Sequence, residues 1–138
     1  MIQIYTTPSC ASCRKAKKWF DQYNIPYSEK NIFSIKLSKD DIIKMLNNSE
    51  NGFDDIISTR SKVFKEKKLD PDSMTMNELI DFIIEYPSVL KRPIIINENE
   101  LQVGYNNEDI TIFLPKELRH REDIVNKAYS EEDSKEED

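Results

Sequence analysis

The 138-residue sequence predicts an α/β fold, and three segments carry that prediction. A short strand at 2–5 leads through a turn into an amphipathic helix over about 12–24. A second extended segment at 25–33 completes a strand-helix-strand unit. Much later, β-rich runs at 94–97 and 101–105 flank a polar turn, which predicts a hairpin. A small mixed sheet with helices against it is the expected architecture.

A run of helices is predicted between the two parts of the sheet, over about residues 38–86. Capping-box pairs mark the starts of a helix at 39–48 and of the apolar segment MNELIDFIIEY. A shorter helical piece is predicted over about 59–68. Prolines follow this piece and the helix of MNELIDFIIEY and end both, because proline cannot continue a helix. The two boxes are Ser38 with Asp41 and Thr75 with Glu78, and the prolines are Pro71 and Pro87.

The C-terminal part of the chain divides by composition. The segment NNEDITIFL predicts one more helix, and PKELRHREDIVNKAY predicts a last one. The terminal SEEDSKEED, residues 130–138, holds six acidic residues and one lysine, so it carries −5 of the total charge of −6. Because it has no apolar residue to bury, we expect an acidic disordered tail there. Residues 1–129, with a net charge of −1, are predicted to form a single domain.

The only two cysteines, Cys10 and Cys13, lie between the first strand and its helix, and Pro93 stands directly before the hairpin. This order is the layout of a thioredoxin-like fold with a helical insertion between its two halves. The proline before the third strand of such folds is commonly cis and faces the dithiol, so we expect a cis bond before Pro93. The alternative is an ordinary trans proline at the start of an edge strand.

The two cysteines have the spacing of a reactive dithiol. Residues i and i+3 at the start of a helix share one face, so the sulfurs of Cys10 and Cys13 can meet. The helix N-terminus and the basic residues within 14–18 favour the thiolate, and Cys13 can resolve a sulfenate on Cys10. A structural zinc site needs about four ligands. The chain adds only His120 to the two thiols, so no metal is expected. Two inert cysteines are the remaining alternative.

Composition and charge indicate a cytosolic protein with a patchy surface. No apolar run approaches the roughly 18 residues of a spanning helix, and MIQIYTTPSC shows no secretory signal. In a reducing compartment a CxxC pair is more often redox-active or metal-binding than a structural crosslink. Basic clusters at 14–18, 60–68, 91–92 and 116–121 could meet nucleic acid or an acidic protein on one face.

Three motifs together, TPSCASCRKAKKWF, DDIISTRSKVF and LKRPIII…LQVGYN, resemble the Spx family of redox-responsive transcriptional regulators, which is related to the arsenate reductases. The likeness covers residues 1–121. It implies an arsenate-reductase type of thioredoxin-like fold and a non-enzymatic regulator of thiol and oxidative-stress genes. It also implies two partners, the C-terminal domain of the RNA polymerase α subunit and promoter DNA within the polymerase complex. A dithiol–disulfide switch would tune the output.

The resemblance also assigns roles to single residues. Gly52 matches the family's contact glycine, Arg60 and Lys62 border the polymerase contact or nearby DNA phosphate, and Arg92 with Pro93 relays the redox state. Without the resemblance, Gly52 is better explained as a helix C-cap within NNSENG, and the basic run as a solvated helix face. No cofactor is implied, and three aromatic residues are assigned to the core, namely Trp19, Phe20 and Phe82.

The alternative function is that of a thiol oxidoreductase, either glutaredoxin-like or arsenate-reducing. Arsenate reductases of this fold use one cysteine, at the position of Cys10, and a cage of three arginines. Arg60 and Arg92 match two of the three, but the third position falls near Gly104. Each missing charge-assisted hydrogen bond costs about 1.5–3 kcal/mol, and Cys13 would divert the first thiol into a disulfide. Arsenate reduction is therefore not expected.

The acidic tail departs from the family pattern. Relatives are typically kept scarce by proteolysis that recognises small apolar residues at the C-terminus, so proteolytic control is expected here as well. Because this chain ends in SKEED, the family's route of turnover cannot be carried over. The tail could instead repel DNA, mask a basic patch or have no effect.

Overall fold

A computed structural model describes residues 1–115. The chain separates into two compact units, Met1–Gly104 and Tyr105–Asp138. The first unit contains a sheet of four strands and five α-helices, four of which lie between the second and third strands. These elements are β1 Ile2–Thr6, α1 Ala11–Gln22, β2 Tyr27–Asn31, α2 Lys39–Asn47, α3 Phe53–Ile56, α4 Lys62–Glu66, α5 Met76–Glu85, β3 Ile94–Ile96 and β4 Leu101–Val103.

The sheet has the strand order β2-β1-β3-β4. β1 runs parallel to β2 and antiparallel to β3, and β3 runs antiparallel to β4. The register places Ile4 of β1 between Glu29 of β2 and Ile95 of β3. The predicted strand-helix-strand unit, inserted helices and hairpin are therefore confirmed.

The core of the first unit lies around β3. Ile94, Ile95 and Ile96 are completely buried, so both faces of this strand are covered, as its unbroken isoleucine run indicates. Ile94 and Ile96 belong to one hydrophobic cluster with the inner faces of α2 and α5. Trp19 and Phe20 are buried as predicted, and the half-buried Phe82 packs against the cluster. The inserted helices thus share a core with the sheet.

Both predicted capping boxes are present, at the starts of α2 and α5. Asp41 has a second role, because its Oδ1 accepts a hydrogen bond from the Tyr5 hydroxyl of β1 at 3.2 Å. Burial opposes ionisation of Asp41, but hydrogen bonds from Ser38 and the charge of Lys30 outweigh it and lower the pKa of this carboxyl. Burial, followed by the Asp41 charge, raises the pKa of Tyr5. The start of α2 is thereby fastened to the sheet.

Two predictions for the insertion were wrong in detail. The helix predicted at 59–68 forms only over Lys62–Glu66, because Ser61 caps it and Lys68, with φ 51°, ends the turn that follows. Gly52 is not the C-cap of α2, since Asn48 occupies that position. Gly52 instead precedes α3, with φ 65° and ψ −131°.

The second unit is described over residues 105–115. The helix predicted in NNEDITIFL is present as a 3₁₀ helix, Asp109–Phe113, after a turn in which the Asn106 side chain accepts the backbone N–H groups of Glu108 and Asp109. The last predicted helix, the domain boundary at 129 and the tail at 130–138 lie outside the described residues and stay predictions. Among the helices that the structure describes, none has the length and apolar character needed to cross a membrane.

Candidate functional site

Cys10 is the N-cap residue of α1, with extended backbone at φ −103° and ψ 107°. Its Sγ accepts the backbone N–H of Cys13 at 3.1 Å. The two Cα atoms are 5.2 Å apart, and the side chains form a disulfide. The predicted meeting of the two sulfurs at the start of a helix is confirmed.

The two cysteines differ in accessibility. Cys13 is 2% exposed and shares the buried face of α1 with Ala16, Trp19 and Phe20. Cys10 is only half-buried and lines an open pocket. An oxidant or an incoming thiol therefore reaches Cys10 first. The buried Cys13 can then form the disulfide with Cys10, or leave Cys10 as a thiolate when the disulfide is reduced.

The pocket in front of Cys10 has a volume of about 620 Å³ and is formed by four separate parts of the first unit, at 7–10, 58–61, 88–92 and 103–104. Two residues that match the arginine cage, Arg60 and Arg92, line it together with Cys10. Hydroxyl groups contribute much of the remaining wall, and they belong to Thr7, Ser9, Ser58, Ser61 and Ser88. The pocket is cationic and rich in hydrogen-bond donors, which suits an anion or a thiolate.

The third cage position is also in this pocket, and no side chain extends from it. Gly104 has φ 82°, and its N–H donates to the carbonyl of Pro93 at 2.8 Å. A Cβ added there would meet no heavy atom within 4 Å. The Arg92–Pro93 bond is cis, as predicted. The arrangement supplies two of the three arginines around Cys10.

Lys91 is a pocket residue that was not predicted from the sequence. It lines the wall beside Arg92, and its backbone N–H donates to the carbonyl of Ile56 at 2.8 Å. Its Nζ donates to the carbonyl of Asp54 at 3.3 Å. Both acceptors belong to α3, 35 and 37 positions earlier in the chain. The basic pair KR before Pro93 was the available signal, but it did not indicate this long-range contact.

Gly52 lies in a loop outside the pocket, directly before α3. Asp55 holds this loop, because its Oδ2 accepts the backbone N–H groups of Glu50 and Asn51, each at 2.9 Å. The hydrogen bond from Asn51 is the largest cause that lowers the pKa of Asp55. A Cβ added at Gly52 would meet no heavy atom within 4 Å, so the backbone there faces open space. The structure thus presents a held loop with an accessible glycine.

Lys62 begins α4 on the exposed surface and pairs with Glu66 at 3.6 Å rather than lining the pocket. Lys67, after the helix, lies over the Tyr86 ring with Nζ 5.1 Å from the ring centre. Most of this segment is basic and exposed, and we call these residues the α4 basic cluster: Arg60, Lys62, Lys65, Lys67 and Lys68. Arg60 belongs to both the cluster and the pocket.

A short bridge connects the Gly52 side of the insertion to the dithiol pocket. Ile57, the residue after α3, forms an antiparallel bridge with Leu90. The N–H of Ser58 donates to the carbonyl of Val89 at 2.8 Å. The segment after α3 therefore runs along the segment that leads into the cis peptide bond. Backbone hydrogen bonds thus connect the segment that follows the loop and α3 to the segment that lines the pocket.

Comparison with known proteins places this geometry among relatives. The chain matches the model of the ArsC family over residues 5–113. It is 50% identical, over 119 residues, to the proteins named global transcriptional regulator Spx in Listeria innocua and in Bacillus subtilis, and each alignment covers 86% of this chain and 91% of the relative. An arsenate reductase from Vibrio cholerae superimposes with a TM-score of 0.71 at 18% identity, covering 82% of this chain and 97% of the reductase. The last likeness concerns the fold, and it confirms the predicted arsenate-reductase type.

Proposed function

Because the chain belongs to the ArsC family and, within it, to the Spx transcriptional regulators, we propose that it is a redox-sensing global regulator that acts on RNA polymerase and not an enzyme. The observation that carries this proposal is the Cys10–Cys13 disulfide, formed between one accessible and one buried cysteine at the start of α1. Such a pair senses oxidants and then returns to the dithiol. A regulator of this kind acts in the cytoplasm, where polymerase is.

The switch needs only the two cysteines and an oxidant. Peroxide converts the Cys10 thiolate to a sulfenic acid, and hydroxide leaves. The Cys13 thiol then attacks the Cys10 sulfur, which forms the S–S bond and releases water. A dithiol reductant reverses the change by exchange, in which it becomes a disulfide itself. The pocket loses one negative charge on oxidation, since the thiolate is replaced by a neutral disulfide.

The partner surface in this proposal is the loop of residues 50–55, which we call the Gly52 loop and which would bind the C-terminal domain of the polymerase α subunit. The open space beside Gly52 supports it, because a residue without a side chain lets a partner approach the backbone closely. The hydrogen bonds from Glu50 and Asn51 to Asp55 support it as well. They hold the loop in one conformation, so less order has to be gained on binding.

Promoter DNA is the second partner, contacted within the polymerase complex. The α4 basic cluster, with Arg60 and Lys62, supplies the positive charge for phosphate contacts near the Gly52 loop in sequence. Such contacts weaken steeply as salt rises, because each one releases a counterion. We expect the contribution of this cluster to be seen as a salt-dependent affinity of the ternary complex, and not as binding of the chain alone to a specific DNA sequence.

Arsenate reduction is the second candidate, and one observation favours it, namely that Cys10, Arg60 and Arg92 line the same pocket. Two others oppose it. Gly104 leaves the third donor position without a side chain, and Cys13 pairs with the thiol that the reaction would need.

Retention of the isolated α C-terminal domain by the immobilised full-length chain, under reducing and under oxidising conditions, tests the proposal. We expect retention in at least one of the two states, together with no turnover of arsenate or of a disulfide substrate by the same preparation. Turnover without retention in either state would assign the chain to the oxidoreductases.

A further inference from the structure

We propose that Lys91 transmits the oxidation state of the dithiol to the Gly52 loop, because its ammonium can bind either the carbonyl end of α3 or the dithiol pocket. This inference rests on the proposed function, in which the Gly52 loop is the partner surface. The residue would act as a positioning residue for that surface. It neither reacts with oxidant nor contacts the partner.

The position of Lys91 supports this role first. Lys91 is one of the residues that line the pocket in front of Cys10. At the same time its Nζ donates to the carbonyl of Asp54, and its backbone N–H donates to the carbonyl of Ile56. One residue thus contacts the dithiol pocket and the helix that follows Gly52. A cation at the carbonyl end of a helix is also favourable for the helix dipole.

The helix that Lys91 holds is the element that shapes the loop. α3 has only four residues, too few to be stable without outside contacts. Asp55, within α3, accepts the N–H groups of Glu50 and Asn51, and its own N–H donates to the carbonyl of Gly52 at 3.1 Å. The charge of Lys91 is among the causes that lower the pKa of Asp55, after the hydrogen bonds within the loop. Displacing Lys91 therefore loosens α3 and the loop together.

Arg92, the residue to which the family resemblance gives the relay, has a more local contact. Its Nη1 donates to the carbonyl of Ser88 at 3.4 Å, within the same segment. Arg92 lines the pocket and can stabilise a thiolate there, but this contact does not reach α3. The two neighbouring cations thus have different roles. Arg92 stabilises the Cys10 thiolate, and Lys91 holds the Gly52 loop through α3.

The two oxidation states place different charges in front of Lys91. The structure holds the disulfide, which is neutral. Within the described part of the chain, three cations and no acidic side chain line the pocket, namely Arg60, Lys91 and Arg92. A dithiol reductant breaks the S–S bond and supplies two electrons and two protons, after which the Cys10 thiol can lose its proton to solvent. The new thiolate attracts the Lys91 ammonium away from its 3.3 Å bond to Asp54. Oxidation is therefore expected to tighten the loop, and reduction to loosen it.

Hydrogen–deuterium exchange of the backbone amides at 50–57 tests this directly, on the full-length chain treated with dithiothreitol or with diamide. In the wild type we expect slower exchange in the oxidised state. In Lys91→Met we expect the same exchange in both states, whereas Lys91→Arg keeps the charge and part of the difference. Lys36→Met is the matched control, because Lys36 is an exposed lysine of the same unit outside the pocket, and it should behave as the wild type does.

Binding of the isolated α C-terminal domain to the same samples is the second readout. Allosteric coupling typically changes affinity by about 5-fold or more, so the two states of the wild type should differ by at least about 5-fold. In Lys91→Met the ratio should fall towards one. If the wild type does not bind this domain at all, the proposed function fails, while a redox difference in exchange that depends on Lys91 still supports the link.

Three results would overturn the inference. The first is a wild type whose amides at 50–57 exchange equally in both states. The second is a Lys91→Met variant that keeps the full difference. The third is a wild type that binds the α C-terminal domain with equal affinity in both states. Lys91→Gln replaces Lys91→Met if circular dichroism shows that the methionine variant does not fold.

Discussion

The dithiol pocket and the Gly52 loop are built in opposite ways. The pocket collects residues from four separate parts of the chain around Cys10, whereas the loop is held by hydrogen bonds among residues 50–55. The pocket contains a group that can react, namely the Cys10 sulfur of the disulfide, with cations around it. The loop offers an open backbone position and no reactive group. The comparison separates the part of the molecule that senses from the part that is proposed to bind.

The difference shows where local sequence is informative. Reactive chemistry needs particular residue types, so a CxxC pair is visible in the sequence even though its pocket is assembled from distant segments. A binding loop needs a shape that complements its partner. Its function therefore cannot be deduced from its residue types when the partner is not known.

The largest effect is expected at the disulfide itself. Mild oxidation of the reduced wild type with diamide should remove two hydrogens from a monomer, measured by intact-mass spectrometry. Neither Cys10→Ser nor Cys13→Ser should show this change, because each lacks one sulfur. In the reduced wild type, iodoacetamide should alkylate Cys10 before the 2% exposed Cys13. Disulfide-linked dimers as the main product of the wild type would contradict the intramolecular switch.

The second effect concerns the loop alone. Gly52→Arg should reduce binding of the α C-terminal domain below detection, because a long side chain blocks the approach to the backbone. Gly52→Ala is the matched control. Both variants have the backbone cost of a side chain at φ 65°, about 1–3 kcal/mol, but only the arginine variant has a long side chain. Calorimetric titration, with circular dichroism of each variant, gives the comparison. Equal binding by the two variants would place the contact elsewhere.

The third effect separates the pocket from the enzymes of the same fold. With glycine at position 104, arsenate reduction by the wild type should equal background in a coupled assay with excess thiol, since the third donor is missing and Cys13 also captures the Cys10 thiol. Gly104→Arg should not restore turnover, because Cys13 still captures Cys10. The double variant Gly104→Arg with Cys13→Ser removes that competition and tests the explanation. Robust turnover by the wild type would favour the oxidoreductase function.

The fourth effect is smaller and falls on the rate of sensing. Arg92 lines the pocket, so its positive charge should favour the Cys10 thiolate, and only the thiolate reacts with peroxide. Arg92→Ala should slow oxidation near neutral pH by about 5-fold, which corresponds to a charge interaction of about 1 kcal/mol. Stopped-flow tryptophan fluorescence can follow it, with Lys36→Ala as the control. An unchanged rate would leave Arg92 without a role in the switch.

The smallest effect tests how the insertion is attached to the sheet. Asp41 has a lowered pKa in the folded state, so it stabilises the fold above its unfolded pKa, and this contribution is lost as pH falls through the folded pKa. Asp41→Asn should therefore lower the free energy of unfolding by about 1 kcal/mol at pH 7, the scale of a helix cap, and by less in acid. Urea unfolding at pH 7 and in acid measures this free energy for the wild type and Asp41→Asn, and the neighbouring Asp40→Asn is the control. An equal loss in both variants would point to the helix dipole instead of the contact with Tyr5.

Much of the fold follows from local signals. Ser38 with Asp41 and Thr75 with Glu78 began the two longest helices of the insertion as predicted, because a capping box satisfies backbone donors within four residues. A local hydrogen bond also explains why the prediction of Gly52 as the C-cap of α2 was wrong. Asn48 donates its side-chain amide to the carbonyl of Lys44 at 2.9 Å, which ends α2 before the glycine is reached.

The site was predictable only in part. Cys10, Arg60 and Arg92 line one pocket, which the family resemblance indicated for the two arginines. Lys91 was missed because its contact with Asp54 spans 37 positions, and no local pattern encodes such a pair. Lys62 lies outside the pocket and pairs with Glu66, so its role at a partner stays a prediction.

Transcription of fragmented genomic DNA by the RNA polymerase holoenzyme of the same organism, followed by sequencing of the run-off transcripts, tests the central claim most directly. We expect reduced and diamide-treated wild type to produce different transcript profiles. Cys10→Ser should produce one profile under both conditions, and polymerase without the α C-terminal domain should not respond. A profile that is the same with and without the protein, in both redox states, would show that the chain does not regulate polymerase through its dithiol.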